Sequence, residues 1–269
     1  APYTNIETCA KNDCTEVSVS AWDDLNTELD MWSDLGATAT MWWRDDDAVA
    51  HTPALHQLYT LSSNHRVPLT LAVIPNAAEA GLCTGPDTPE HLCIVQHGYA
   101  HQNHEPDGVK KSEFGSGRDK TVINDELAAG QATLSAFPGF FPAFVPPWNR
   151  VSPDFHQNFV DSSIVGLSTF GARQQRETVP GLIQVNTHAD IVDWRGSRGF
   201  AGENHVCGQI CNHLIARRSQ KCDGSEPTGV LSHHLVHDDE CWHFLDTLFS
   251  TLNEHSAVRW LNGAEVFAV

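Results

Sequence analysis

The chain has 269 residues, 41% of them hydrophobic, and its 34 acidic and 16 basic side chains give a formal net charge of −18. This charge argues against nucleic acid, anionic membrane surfaces and polyanionic substrates as partners, whereas it permits neutral or cationic ones. The length suits one large domain or two small ones, and no apolar run approaches the roughly 20 residues that cross a membrane.

Apolar runs alternate with helical patterns along the chain. The runs predict strands at 37–43, 67–74, 92–95, 140–145, 164–167, 182–185, 229–231 and 258–261. The patterns predict helices at 52–64, 121–137 and 238–253, and a helix start at Ser152-Pro153. This alternation predicts an α/β fold with a mostly parallel sheet, either open or closed into a barrel.

Three adjacent carboxylates, Asp45, Asp46 and Asp47, follow the first apolar run. They repel one another unless a positive group lies among them, which is a reason to expect a metal ion. Alternatively, the three could cap the next helix and complement its dipole.

Two histidines, His97 and His101, follow the third apolar run at a spacing of four residues. This spacing predicts that both imidazoles lie on one face of a helical turn, where one divalent ion can accept a lone pair from each. With the aspartates, they predict a two-histidine, one-aspartate metal site with catalysis attached. The alternative is a pair of polar core or surface residues, which a chain with 16 histidines offers by chance.

The eight cysteines form no Cys-x-x-Cys pair. We expect four disulfides, of undeducible pairing, in a secreted or periplasmic protein whose signal peptide has been removed. The alternative is a structural zinc site built from Cys207, Cys211 and Cys222.

Five short motifs occur in a characteristic order. They are the paired aspartates, His97-x3-His101, Val145-Pro146-Pro147-Trp148, Asp190-Ile191-Val192-Asp193-Trp194 and Leu231-Ser232-His233. In this order they resemble the motifs of the polysaccharide deacetylases, which form carbohydrate esterase family 4, across residues 40–240. The resemblance implies a distorted (β/α) barrel in a single domain over 1–269, with its motif-bearing core at about 37–262. We expect this domain to be a monomer.

The resemblance implies roles for the aspartates and histidines. The family's first paired aspartate is the catalytic base and the second binds metal. Because this chain has three adjacent aspartates, two consecutive pairs can match the family's pair. We favour Asp46 as base and Asp47 as ligand, with Asp45 and Asp46 as the alternative pair. His97 and His101 complete the ligand set, for which zinc is favoured and cobalt, nickel and iron are alternatives.

The remaining motifs match the family's acid and its substrate contacts. The backbone N–H of Trp148 would stabilise the oxyanion, Leu231 would line the acetyl pocket, and His233 would be the general acid. Strand alternation places Leu231 and His233 on one side and His234 on the other. Asp193-Trp194 matches the motif that supports the acid. The aromatic rings of Trp43, Tyr99 and Trp194 are candidates for stacking on sugar rings.

Some positions depart from the family pattern. Val145 stands where the family has the arginine that holds the catalytic aspartate. Arg150, Arg118 or Arg195 could replace it from elsewhere in the chain. The extra histidines His104, His234 and His237 have no counterpart in the motifs, so they either support the site or form polar surface.

These features predict a metal-dependent enzyme that removes acetyl groups from an N-acetylated glycan. The metal would polarise the carbonyl, a carboxylate would take a proton from water, and a histidine would protonate the leaving amine. The alternatives are an O-acetyl glycan esterase, a metal-assisted lyase on uronate polymers, and a catalytically silent sugar-binding module.

Overall fold

The computed structural model describes residues 20–268, and ten strands within them form one sheet. The strands are β1 (Ala39–Ala48), β2 (Leu69–Val73), β3 (Cys93–His97), β4 (Phe140–Val145), β5 (Gly166–Leu167), β6 (Glu177–Val179), β7 (Leu182–Gln184), β8 (Ala189–Asp190), β9 (Thr228–Ser232) and β10 (Val258–Trp260). Their order is β6-β7-β5-β4-β3-β2-β1-β9-β8, with β10 beside β1. The pairings are parallel except for β6 with β7, as the alternating pattern predicted.

The helices alternate with these strands along the chain. They are α1 (Ala21–Asp34), α2 (Pro53–His65), α3 (Lys120–Leu134), α4 (His156–Asp161), α5 (Glu203–Arg218), α6 (Asp239–Glu254) and α7 (Gly263–Val266). Among these described helices, none combines the length and the apolar character that crossing a bilayer needs.

One extended segment, residues 182–191, joins the two ends of the parallel sheet. In its first half, Val185 N donates to Leu167 O at 3.0 Å, beside β5. In its second half, His188 N donates to Gly229 O at 2.7 Å, beside β9. Because the same segment bonds to both ends, the sheet closes into a distorted barrel, which agrees with the predicted architecture.

The alternation of side chains in β1 divides the interior into two layers. Met41 and Trp43 point outward into the core between the sheet and the helices, where Trp43 packs against Phe249 with ring centroids 4.7 Å apart. Trp42 points the other way, into a smaller apolar cluster inside the barrel. Arg44, two residues on, shares its face. Strand β1 therefore presents alternate side chains to the barrel interior.

Helix starts follow the capping residues that the sequence provides. Thr52 accepts a hydrogen bond from Leu55 N at 3.1 Å and is followed by proline, which begins α2 at the predicted position. Asp238 accepts from Cys241 N at 2.8 Å and begins α6 in the same way. The predicted helices near 52–64, 121–137 and 238–253 are all present, whereas α1, α5 and α7 are additional to the prediction.

The prediction of four disulfides is wrong. The six cysteines within residues 20–268 are free thiols, whereas four disulfides would need at least two bridges among them. The thiols lie on separate elements or, for Cys207 and Cys211, one turn apart on α5, and burial raises the pKa of Cys93 and Cys241 to about 12. Cys9 and Cys14 lie outside the described residues. The alternative zinc site also fails, because no potential metal cluster in the described part of the chain contains a cysteine.

Candidate active site and metal centre

Three potential metal ligands converge at the carboxyl ends of β1 and β3. Asp47 Oδ1 lies 3.0 Å from His97 Nε2 and 3.2 Å from His101 Nε2. One ligand atom from each residue lies within 4.8 Å of the others. Two imidazole nitrogens and a carboxylate oxygen at this spacing can hold one divalent ion and leave a position open for water.

The two histidines reach this point through a tight turn and not through a helix, so the expected helical turn is wrong. His97 is the last residue of β3, and Gly98 follows with a φ of 56°. A Cβ on Gly98 would lie 2.0 Å from Glu113 Oε2 and 2.6 Å from Pro147 Cγ, so this position requires glycine. His101 also has a positive φ, 54°, which turns its ring back toward His97.

A buried carboxylate, Glu113, holds this turn in place. It accepts hydrogen bonds from the backbone N–H groups of Tyr99 at 3.1 Å, Ala100 at 2.8 Å and Gln102 at 3.3 Å. These are the residues on either side of His101, so Glu113 positions a candidate metal ligand. Sequence reasoning missed Glu113, because it lies in a polar stretch with no motif of its own.

The hydrogen bonds of His97 suit a ligand. Its Nδ1 lies 3.0 Å from Val145 O, and a carbonyl can only accept, so Nδ1 carries the proton. The lone pair of Nε2 is then free to face a metal beside Asp47. Burial works to raise the pKa of Asp47, but the neighbouring imidazoles of His101 and His97 outweigh it and hold that pKa far below its usual range. The carboxylate is therefore charged, as a ligand must be.

Asp46 points into the barrel and is held by an arginine that sequence reasoning overlooked. Arg44 Nε donates to Asp46 Oδ1 at 2.8 Å, and Arg44 Nη2 donates to Oδ2 at 2.9 Å. The same guanidinium donates to Ser168 Oγ at 2.6 Å and to Asn149 Oδ1 at 2.7 Å. The available signal was the i, i+2 spacing, which puts both side chains on one face of a strand.

The three arginines proposed from sequence lie elsewhere, so none of them takes this role. Arg118 forms an ion pair with Glu126 at 2.7 Å. Arg150 Nη1 donates to Lys111 O at 3.0 Å, at the cavity rim. Arg195 also lines the rim. Arg44, two positions before Asp46, makes the contact that was expected of these three arginines.

Asp45 faces the opposite side of β1 and serves the structure there. Its Oδ1 lies 2.5 Å from His234 Nδ1, and its Oδ2 accepts from Ser232 Oγ at 2.6 Å. Trp43 Nε1 donates to the same Ser232 Oγ at 2.8 Å. This placement argues against the alternative assignment, in which Asp45 is the base and Asp46 the metal ligand. It also corrects the expectation that Trp43 contacts substrate, because Trp43 is fully buried in the helical layer.

His233 lies on the barrel side, as strand alternation predicted, and its Nε2 is 4.0 Å from Asp46 Oδ2. The Trp194 ring meets its imidazole edge-on, with centroids 4.7 Å apart. Behind it, His237 Nε2 accepts the backbone N–H of His233 at 3.2 Å. Burial lowers the pKa of His237 to about 4, so its ring is neutral and able to accept this bond.

Asp190, and not Asp193, is the carboxylate of its motif that faces the site. Asp190 Oδ2 accepts from Trp194 Nε1 at 2.9 Å, and burial raises the pKa of Asp190. Asp193 instead accepts three backbone N–H groups of the following turn. The expectation that Asp193 supports the histidine is therefore wrong. Asp190, three residues before Asp193, is the carboxylate that faces the site.

These groups share one cavity of about 670 Å³. Its walls are Asp46, Asp47, His97, His101, Lys111, Trp148, Asn149, Arg150, Phe170, Asp190, Trp194, Arg195, Arg198 and His233. Trp148 has a left-handed backbone, φ 56°, and its ring lies 4.5 Å from that of His101. Three predicted residues, Tyr99, His104 and Leu231, are not among the walls, and Leu231 is fully buried. The predicted substrate contacts of Tyr99 and Leu231 are therefore not seen.

Comparisons with known proteins identify the fold. No family model and no curated protein sequence matches the chain. Among solved structures, a predicted polysaccharide deacetylase from Mycobacterium smegmatis is 14% identical with a TM-score of 0.59, covering 87% of this chain and 90% of its own. The peptidoglycan N-acetylglucosamine deacetylase Bc1960 is 15% identical with a TM-score of 0.52, covering 86% and 89%.

A third neighbour is BA3943 from Bacillus anthracis, a pseudoenzyme of carbohydrate esterase family 4. It is 14% identical with a TM-score of 0.52, covering 86% of this chain and 66% of its own. At these identities the likeness is one of fold. The chain therefore has the fold of the family 4 polysaccharide deacetylases, which confirms the resemblance drawn from its five motifs.

Proposed function

We propose that this chain is a metal-dependent hydrolase that removes acetyl groups from an N-acetylated polysaccharide or oligosaccharide. The observation that carries the proposal is the convergence of Asp47, His97 and His101 beside Asp46, which Arg44 holds by two hydrogen bonds. His233 completes the set from the end of the neighbouring strand β9, in the same cavity. The shared fold is consistent with this chemistry.

The donor set fits a zinc ion, although cobalt, nickel or iron(II) would accept it too. Asp47, His97 and His101 would hold the ion, and the backbone carbonyl of Val145 orients the His97 ring for it. When bound, the ion would polarise the acetyl carbonyl and acidify the attacking water.

Asp46 and His233 divide the proton transfers. Two hydrogen bonds from the Arg44 guanidinium orient the Asp46 carboxylate, which can take a proton from the attacking water. His233 would give a proton to the leaving nitrogen, because an amine leaves poorly unless it is protonated. We assign the oxyanion contact to the backbone N–H of Trp148, whose sharp turn lies beside His101.

The alternative functions differ in which residues of this site they require. An O-acetyl esterase would use the same groups but depend less on His233. A silent sugar-binding module would be expected to lack a ligand or the base, whereas candidates for both are present here. Export and a monomeric state remain predictions, and the free cysteines remove the main sequence argument for export.

The test is acetate release from a chitooligosaccharide and from an O-acetylated xylo-oligosaccharide, before and after chelation and on zinc addition. His97→Ala should lose both metal and turnover. Asp46→Asn should keep its metal and lose turnover by roughly 10²–10⁴-fold, the range of general-base catalysis. His104→Ala is the matched control, because His104 is exposed and outside the cavity.

Each outcome decides one element of the proposal. Stoichiometric metal in His97→Ala would place the metal site elsewhere. Release from the O-acetylated substrate alone would establish the esterase reading. No release from either substrate by the zinc-loaded protein would leave the lyase and the silent module.

A further inference from the structure

The candidate active-site cavity has a positively charged rim on an otherwise acidic protein. Lys111, Arg150, Arg195 and Arg198 all line it, and they are four of the 16 lysines and arginines in a chain of net charge −18. The rim of this cavity is therefore positively charged, whereas the molecule as a whole is negatively charged.

The acidic groups of the cavity do not cancel this charge. Asp46 is already paired with the buried Arg44 guanidinium. Asp47 would be outweighed by the divalent ion that it holds under the proposed function. Among the residues that line the cavity, only Asp190 then remains against the four rim cations, so the lining of the loaded cavity is net positive.

The cations lie on two walls, one on each side of the catalytic groups. On the first wall, Lys111 Nζ is 5.8 Å from the centroid of the Trp148 ring, and that ring is 4.5 Å from His101. Arg150 joins this wall through its hydrogen bond to the Lys111 carbonyl.

The second wall repeats the arrangement around the other histidine. Arg198 Cζ is 5.6 Å from the centroid of the Trp194 ring, and that ring is 4.7 Å from His233. Each wall thus pairs a tryptophan with a cation that lies over its ring. A glycan that crosses the cavity would meet a cation on either side of the reacting acetyl group.

The turn that carries Arg195 and Arg198 is held by a specific carboxylate. Asp193 accepts the backbone N–H groups of Arg195 at 3.2 Å, Gly196 at 2.9 Å and Ser197 at 3.2 Å, and its backbone carbonyl accepts that of Arg198 at 2.9 Å. The two arginines are therefore presented on an ordered turn, which reduces the entropy lost when they bind a ligand.

We propose that this rim is an anion subsite and that the substrate is an acidic N-acetylated glycan, with a carboxylate or sulfate on the sugars next to the acetylated one. Guanidinium and ammonium groups suit both anions. This inference rests on the proposed function and specifies its substrate class. It reverses the expectation from net charge, which argued against polyanionic substrates.

The probes are pairs of closely related glycans whose members differ chiefly in charge. The first is a hyaluronan oligosaccharide, in which N-acetylglucosamine alternates with glucuronate, compared with its carboxyl methyl ester. The second is a 6-O-sulfated chitooligosaccharide compared with the unsulfated one. We expect kcat/KM for acetate release to favour the acidic member of at least one pair by about tenfold, chiefly through KM, as a few exposed ion pairs would give. The pair that shows the preference identifies carboxylate or sulfate as the anion. The preference should shrink as salt is raised from about 0.01 M to 1 M.

Charge-neutralising variants test the assignment to the rim. Lys111→Gln and Arg198→Gln should each reduce the acid-to-neutral ratio of kcat/KM several-fold. Lys110→Gln is the matched control, because it removes an equal charge from the neighbouring exposed position outside the cavity, and it should leave the ratio unchanged.

The outcomes separate the two proposals. Acetate release without preference in either pair would support the deacetylase and overturn the anion subsite. No release from any probe would overturn the deacetylase, and calorimetry would then test the rim alone. Equal Kd values for the acidic and neutral members of both pairs would overturn the subsite in that case.

Discussion

At the scale of single residues, each of the three adjacent aspartates has partners of its own. Asp45 is bonded to His234, Asp46 to Arg44, and Asp47 to His97 and His101. Strand alternation separates the first two onto opposite faces, and the positive φ of Asp47, 72°, turns the third toward the histidines. Their mutual repulsion is thus relieved by separate cationic or hydrogen-bonding groups.

Arg44 is the residue whose replacement best tests this division. Arg44→Lys keeps the positive charge but cannot form two parallel hydrogen bonds to Asp46. We expect kcat/KM for acetate release to fall by roughly 10–100-fold, part of what a general base contributes, with metal content unchanged. Arg259→Lys, at an exposed pair with Glu265, should have no effect. Wild-type turnover in Arg44→Lys would show that the bidentate contact does not orient the base.

His233 can be tested through the leaving group. His233→Ala should nearly abolish release of acetate from N-acetylated sugars, because the leaving nitrogen needs a proton. It should retain much of the hydrolysis of p-nitrophenyl acetate, whose leaving group is stable as an anion. His243→Ala, an exposed position on α6, is the control. An equal fall on both substrates would make His233 a binding or structural residue.

At the scale of elements, the turn after β3 decides whether a metal site exists. The i, i+4 spacing of His97 and His101 suggested a helix, but β3 includes His97 and the chain then turns at Gly98. The imidazoles still converge, because Glu113 ties down the backbone around His101. His97 and His101 therefore come together as a metal site requires, although they do not lie on a helix as expected.

Glu113 should therefore control metal affinity without touching the metal. Glu113→Gln leaves one acceptor oxygen for the three N–H groups that the carboxylate now binds. We expect zinc affinity to fall about 10–100-fold, as for other groups that orient ligands, measured by competition with a chromophoric chelator. Glu177→Gln, which caps a turn at the sheet edge, is the control. Unchanged affinity in Glu113→Gln would show that the turn is held by other contacts.

At the scale of the whole molecule, the segment that closes the barrel also contributes to a buried ionisable cluster. His188 and His213 stack with ring centroids 3.4 Å apart, and Glu226 Oε2 lies 3.4 Å from His188 Nε2. Burial lowers the pKa of His188 to about 3 and that of His213 to about 2. Both rings are neutral in the folded protein at neutral pH.

This cluster predicts that stability falls with acid. Between the ordinary histidine pKa of 6.5 and about pH 3, these histidines bind protons in the unfolded chain but not in the folded chain. The free energy of unfolding therefore decreases as pH drops through this window. Each histidine contributes up to about 1.4 kcal/mol per pH unit. Burial raises the pKa of Glu226, which offsets part of the loss.

Urea unfolding between about pH 4 and 8 measures this slope. His188→Asn keeps an acceptor for the Gly229 N–H but cannot titrate, so its slope should be flatter than that of the wild type. His91→Asn, an exposed position, should leave the slope unchanged. A His188→Asn slope equal to that of the wild type would show that His188 is not the group responsible.

The sequence by itself determined three of the five long helices among the described residues, most of the strands, and the types of residue in the site. Strand β4 was predicted at its observed bounds, and the start of α2 was predicted to within one residue, because apolar periodicity and capping residues are local signals. Strands β6 and β8 are two or three residues long and show no period. Helix α5 has buried residues at a spacing of four, Val206, Ile210 and Leu214, but its start has no side-chain cap.

Only the tertiary structure decided which groups act together. Glu113 and Asp190 have no distinguishing local pattern, and the i, i+2 spacing of Arg44 and Asp46 does not show that Ser168 and Asn149 bind the same guanidinium. The same holds for charge, because a sum of −18 carries no information about where four cations gather. Contacts between residues distant in sequence depend on how the barrel closes, and so does the sign of the field at its mouth.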